Sequence, residues 1–284
     1  MNDSSVAFIG GGNMARSLVG GLIAGGRAPA SIRVAEPVDA LRAALAADFG
    51  VVVHPVATAA ADGAGTWVLA VKPQVMAAVC ESLAPLARVQ RPLVVSIAAG
   101  IPTARIAAWL GGDAAVVRTM PNTPALLGAG ATGLYATPGV DAAGREAAEA
   151  LMRTAGLTAW IDDEALMDAV TAVSGSGPAY VFLLAEALQA AGEAEGLPAD
   201  TARALATQTL LGASRMLAES GEAAATLRQR VTSPNGTTQA ALEAFEAGGF
   251  RELVRVAVGA AARRGRELAA ATPGDPPPVP PSRP

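Results

Sequence analysis

Four apolar residues, Val6-Ala7-Phe8-Ile9, run straight into three glycines, Gly10-Gly11-Gly12, and a helical pattern follows at once over 13–25. A short apolar run closed by glycines predicts a strand buried on both faces. Passing directly into a helix, it predicts the tight turn that opens a βαβ unit. The alternation continues. Ile32-Arg33-Val34-Ala35 reads as a second strand and 40–48 as a second helix. Val51-Val52-Val53, Trp67-Val68-Leu69-Ala70-Val71, Leu93-Val94-Val95-Ser96-Ile97, Val116-Val117-Arg118 and Thr132-Gly133-Leu134-Tyr135 add further short strands. Strands of this kind separated by helices predict a parallel sheet covered on both sides.

Past Ile161 no strand pattern recurs. Residues 167–192, 198–218, 222–230 and 238–271 read as helices, with Pro198 placed where a helix start tolerates it. The expectation is therefore a Rossmann-type doubly wound α/β sheet over 1–162, then an all-α part over 163–272. The proline-rich stretch 273–284 is expected to be disordered. At 51% hydrophobic and 16% charged, the 284 residues have ample material for a core. A net charge of −4 gives no basic footprint for nucleic acid or an anionic membrane. The longest uncharged stretches, 120–140 and 169–185, contain Gly, Pro, Thr and Ser and do not read as membrane spans. With no basic N-terminal region before an apolar run, a cytoplasmic protein is expected. Cys80 is the single cysteine and His54 the single histidine, so a disulfide within the chain, a Cys/His metal site and most histidine catalysis are not expected.

Gly10-Gly11-Gly12-Asn13-Met14-Ala15 fits G-x-G-x-x-A. Gly10 allows the tight turn, Gly12 lets a pyrophosphate approach the backbone, and Ala15 is small enough for close helix–strand packing. The anion would then lie on the N–H groups of the helix start. Glu36 follows at about the expected spacing of ~20 residues, where a carboxylate accepts adenosine ribose hydroxyls and repels a 2′-phosphate. Arg33 and Arg42 stand close enough in sequence to serve a phosphate, so NADH and NADPH both remain open here. Lys72 is the only lysine; arginine fills every other basic position. It reads either as a surface lysine or as a specific contact at a strand's carboxyl end, with Pro73 setting the turn after Val71. Ser96-Ile97-Ala98-Ala99-Gly100 and Met120-Pro121-Asn122-Thr123-Pro124 end strands on the same edge, where open sheets bind ligands.

In the helical half, Ser174-Gly175-Ser176-Gly177-Pro178 interrupts an apolar helix, for close packing or for ligand contact. Thr232-Ser233-Pro234-Asn235-Gly236-Thr237-Thr238 precedes a helical run over 239–246. A hydroxyl-rich turn capping a helix makes a nest for a small carboxylate.

Taken in order, the segments 8–15, 70–73, 120–124, 168–180 and 232–238 resemble those of pyrroline-5-carboxylate reductases, and the likeness covers nearly the whole chain before the proline-rich stretch. That resemblance implies a Rossmann domain and a helical dimerisation domain, homodimers that can assemble into decamers of five dimers, and NAD(P)H-dependent reduction of 1-pyrroline-5-carboxylate to L-proline, with the resemblance favouring NADPH where Glu36 favours NADH. It further implies that Gly11, Asn13 and Met14 touch the pyrophosphate and that Val71, Lys72 and Ala99 line the nicotinamide side. Asn122 is expected to contact cofactor. Glu164, Ser233, Gly236, Thr237 and Thr238 are expected to hold substrate, with the Thr238 hydroxyl at the reacting nitrogen. Glu36-Pro37, Ala57 and Arg230 depart from residues that relatives often carry near the cofactor. A hydroxyacid dehydrogenase on the same plan would want an acid such as lysine from the helical half, and no lysine follows Lys72. A non-catalytic cofactor sensor would have no need of the carboxylate nest.

Overall fold

The computed structural model describes residues 5–270, so the stretch 273–284 expected to be disordered lies outside the described residues. Eight strands form one sheet: β1 (Val6–Ile9), β2 (Ile32–Ala35), β3 (Val52–His54), β4 (Thr66–Leu69), β5 (Leu93–Ser96), β6 (Ala115–Met120), β7 (Gly130–Ala136) and β8 (Gly156–Trp160). Their order is β3-β2-β1-β4-β5-β6-β7-β8. Between them lie α1 (Asn13–Ala24), α2 (Asp39–Phe49), α3 (Ala57–Ala61), α4 (Pro73–Gln90), α5 (Thr103–Trp109) and α6 (Ala142–Arg153).

All four residues of β1 are buried, and the strand's two sides feed two separate cores. Val6 and Phe8 pack with Ala15, Leu18 and Leu45 on one face. Ala7 and Ile9 pack with Trp67, Met76, Cys80 and Ile106 on the other. This two-sided burial is why the sequence shows an unbroken apolar run there and no alternation.

The six strands β1–β6 pair in parallel, as expected for a doubly wound sheet, but β7 runs antiparallel to β6. A parallel return needs a crossover of about a dozen residues or more. The link from β6 to β7 is shorter and is largely taken up by a 3-10 turn, Thr123–Leu127. The sequence also did not announce β8, which pairs in parallel with β7 at the sheet's edge. Its residues are half-buried at best, so its apolar signal is weak.

After β8 come a 3-10 turn (Glu164–Leu166), α7 (Met167–Val170), a π-helical turn (Thr171–Gly175), α8 (Gly177–Ala194), α9 (Ala199–Glu219), α10 (Ala224–Arg230), α11 (Thr237–Ala247) and α12 (Phe250–Ala270). Two helices expected to be continuous are broken. The run 167–192 passes through the π turn, where the Gly175 backbone lies close against the Met120 side chain. The run 238–271 divides at Gly248-Gly249, Gly249 having a φ of 73°.

By packing, the chain forms two compact units, one running through Gly175 and including the chain from Ala261, the other Ser176–Ala260. The boundary expected at 162/163 marks where strands give way to helices, but the following residues remain tied to the sheet. Glu164 bonds to Thr103 and Arg118, and Asn122 bonds to the Ser174 carbonyl. Within Ser176–Ala260 the buried described residues are Ala202 and Ala206, while Phe182 (62%), Leu183 (66%) and Leu253 (64%) are largely exposed. Among the described residues no helix is long and apolar enough to cross a membrane.

Candidate functional site

The glycine turn is built by two close approaches and one opening. Gly10 has a φ of 106°, and a Cβ there would lie 2.6 Å from the Ala70 carbonyl oxygen. Gly11 is buried and donates its N–H to Glu36 Oε2 at 3.1 Å. Gly12 is the N-cap of α1, is exposed, and has nothing within 4 Å of where a Cβ would stand. No side chain caps α1. An uncapped helix start with open space before its second motif glycine fits the pyrophosphate of a dinucleotide. Asn13 is exposed, Met14 half-buried, and Ala15 1% exposed in the core.

Glu36 is not a solvated strand-end residue: it is only 7% exposed. Its second oxygen accepts the Val38 N–H at 3.0 Å, so backbone donors from both sides fix the carboxylate beside the glycine turn. Arg42, weighed above as a phosphate ligand, donates to the Glu36 carbonyl at 2.7 Å and pairs with Asp39. Arg33 is turned to the Asp62 carbonyl.

Along the same sheet edge, Lys72 is the N-cap of α4 and Pro73 its first residue, which the fixed φ of proline favours. Lys72 is exposed and makes no ion pair among the described residues, and Val71 is half-buried beside Gly10. Ala99 is exposed in the loop that follows β5. Cys80 is buried on α4; burial, with the Glu81 charge adding to it, pushes its thiol up to about 12, so it is no nucleophile.

Two expected ligand contacts are occupied within the chain. Asn122 donates to the Ser174 carbonyl and accepts the Ala131 N–H, both at 2.9 Å, so its carboxamide joins β6, β7 and the π turn. Glu164, expected on the substrate, accepts the Thr103 N–H at 2.8 Å and hydroxyl at 2.7 Å, and pairs with Arg118 at 2.9 Å. Sequence reasoning missed Thr103 and Arg118. The available signal was an arginine inside the apolar strand β6, since a buried guanidinium requires a partner.

In the other unit, the loop before α11 makes a turn in which Gly236 N–H reaches the Ser233 carbonyl at 3.1 Å, with Asn235 at a φ of 60°. The hydroxyls expected to cap α11 do not, because the N-cap position belongs to Gly236, which has no side chain. Gln239 instead reaches back to the Asn235 N–H at 2.8 Å. The first-turn N–H groups behind Gly236 are thus left without a side-chain cap, next to the hydroxyls of exposed Thr237 and half-buried Thr238. Ser233 is exposed, and Arg230 is paired with Glu222 at 2.6 Å.

A family model described as pyrroline-5-carboxylate reductase dimerisation matches residues 164–268, and one described as NADP oxidoreductase, coenzyme F420-dependent, matches residues 5–100. The pyrroline-5-carboxylate reductase of Pseudomonas aeruginosa is 54% identical over 95% of this chain and 98% of its own. This chain belongs to the pyrroline-5-carboxylate reductase family. The reductase of the same name from Haemophilus influenzae is 42% identical over 94% of this chain and 98% of its own. A solved pyrroline-5-carboxylate reductase from Coxiella burnetii matches with a TM-score of 0.92 at 44% identity, covering 94% of this chain and 99% of that one. A Plasmodium falciparum pyrroline carboxylate reductase solved with NADP bound matches with a TM-score of 0.81 at 26% identity, covering 95% and 99%. The dimerisation match covers the helices whose apolar faces lie open in the single chain, and a helical layer with almost nothing buried needs a second copy to exclude water. Members of this family use a nicotinamide cofactor, so this chain is an NAD(P)-dependent oxidoreductase and a homo-oligomer.

Proposed function

We propose that this chain reduces the C=N bond of 1-pyrroline-5-carboxylate to give L-proline, with NAD(P)H as hydride donor. The observation that carries the reading is the uncapped start of α11 behind Gly236, with two threonine hydroxyls beside it, in a chain that also carries the glycine turn. Bound NAD(P)H supplies the hydride; the protein's task is to hold and orient. The start of α1 binds the pyrophosphate through Gly12, Asn13 and Met14, while Val71, Lys72, Pro73 and Ala99 flank the nicotinamide. The N–H groups of Thr237 and Thr238 hold the substrate carboxylate at the positive end of the α11 dipole. The Thr238 hydroxyl meets the ring nitrogen and passes a proton where one is needed. A cyclic imine can arrive already protonated, which is why a chain with one histidine and one lysine can serve it. Removing the hydroxyl in Thr238→Ala should lower kcat/KM by about 10- to 100-fold, the range for one lost polar contact. Unchanged kcat/KM would remove Thr238 from that role.

NADH is proposed as the preferred cofactor. Backbone donors fix both oxygens of Glu36 beside the glycine turn, which supports its role at the ribose, and Arg42 and Arg33 are turned away into bonds with the chain. Glu36→Ser should raise kcat/KM with NADPH relative to NADH by roughly 10-fold or more, since a buried carboxylate no longer faces the 2′-phosphate. An unaltered ratio in paired kinetics would refute the assignment. Pairing of two copies through α8–α12, and assembly of such dimers into decamers, completes the proposal.

A further inference from the structure

The loop between β5 and α5, residues 97–102, is pinned at both ends by neighbouring residues of β6. At its start, the Thr119 hydroxyl donates to the Ser96 carbonyl at 3.0 Å, and the Ser96 hydroxyl accepts the Ala98 N–H at 3.3 Å. At its end, Glu164 takes both the N–H and the hydroxyl of Thr103, the first residue of α5, while Arg118 neutralises it. Ser96, Thr103, Arg118 and Thr119 are all at most 5% exposed. Between the two anchors, Ala98 and Ile101 are buried, and Ala99 is exposed with Gly100 following at a φ of 76°. The loop therefore has little freedom except to present Ala99 at the ligand edge.

We infer that Glu164, through Thr103 and Arg118, is a positioning residue for the cofactor: it sets the 97–102 loop against the nicotinamide and does not touch the substrate. Both carboxylate oxygens already accept hydrogen bonds from the chain. The residue with which the dimerisation match begins thus works on the cofactor sheet. The inference rests on the reading of Ala99 as a wall of the nicotinamide pocket.

Its test is the affinity of the full-length oligomer for NADH and NADPH without substrate, read by nicotinamide fluorescence, beside the substrate KM at saturating cofactor. Thr103→Val keeps shape and charge but removes the hydroxyl bond to Glu164, leaving the bond from the residue 103 N–H in place. It should weaken cofactor binding about 5-fold, the equivalent of one hydrogen bond, and leave substrate KM within two-fold. Glu164→Gln should weaken cofactor binding by roughly the same factor or more, since it also disturbs the Arg118 pair. Thr103→Ser, which retains the hydroxyl, should restore the wild-type cofactor Kd. A raised substrate KM with unchanged cofactor Kd would place Glu164 on the substrate and overturn the inference. A lowered Tm with both constants unchanged would overturn it too, leaving only a structural bond. Wild-type protein that binds no nicotinamide cofactor would instead defeat the functional proposal itself, and that result is distinct from either.

Discussion

Gly12→Ala should melt within a few degrees of the wild type and bind NAD(P)H about 100-fold more weakly. Gly12 has an ordinary φ of −69°, and a methyl group there meets no protein atom within 4 Å. Loss of a glycine N-cap costs the fold about 1 kcal/mol at most. The ligand loses more, because the methyl occupies the approach to the helix start and displaces charge-assisted bonds of about 1.5–3 kcal/mol each. Gly10→Ala is the contrast. Its φ of 106° and the Ala70 carbonyl at 2.6 Å leave no room for a side chain, so it should fail as a fold before it can fail as a binder. Calorimetry and fluorescence titration of the two variants separate these effects. If Gly12→Ala bound cofactor normally, the pyrophosphate would have to lie elsewhere.

Arg118→Met should destabilise the protein by about 3 kcal/mol and lower Tm by roughly 10 °C. Methionine fills much of the space, but Glu164 then keeps its charge in a site where the guanidinium has been lost. The side chains are 6% and 22% exposed, which places the effect at the lower end for a broken buried pair. Glu164→Gln added to that background should recover part of the loss, because the uncompensated charge is gone while Thr103 keeps an acceptor. Thermal unfolding of the single and double variants reads both numbers. A single variant melting within 2 °C of the wild type would show that the pair contributes nothing measurable.

The glycine turn, the two-sided strand β1 and the helix start at Pro198 could be read from the chain because their causes are local. A positive φ, a fixed proline φ or four consecutive apolar residues each leave a mark within a few positions. Strand β8 escaped notice because an edge strand with half-exposed residues carries no apolar period. The reversal of β7 escaped because strand direction depends on the length of a connection and not on the strand's own residues. The hydroxyls of 232–238 suggested a capping role, but the N-cap position fell to Gly236, so none of them caps α11, and the Thr232 hydroxyl bonds to the Arg228 carbonyl instead.

Local stereochemistry, then, was enough to specify where the glycine turn lies, that a parallel sheet surrounds it, and that a helix follows the hydroxyl-rich loop. Thr103 and Arg118, 61 and 46 positions from Glu164, met it only in the folded chain, where both oxygens of a carboxylate expected on the substrate accept bonds from the chain itself. The same holds for Asn122, whose two bonds reach across nine and 52 residues. Such pairings are settled by which strands become neighbours, and no pattern within a few residues encodes them, because a hydrogen bond depends on distance in space and carries no trace of separation along the chain.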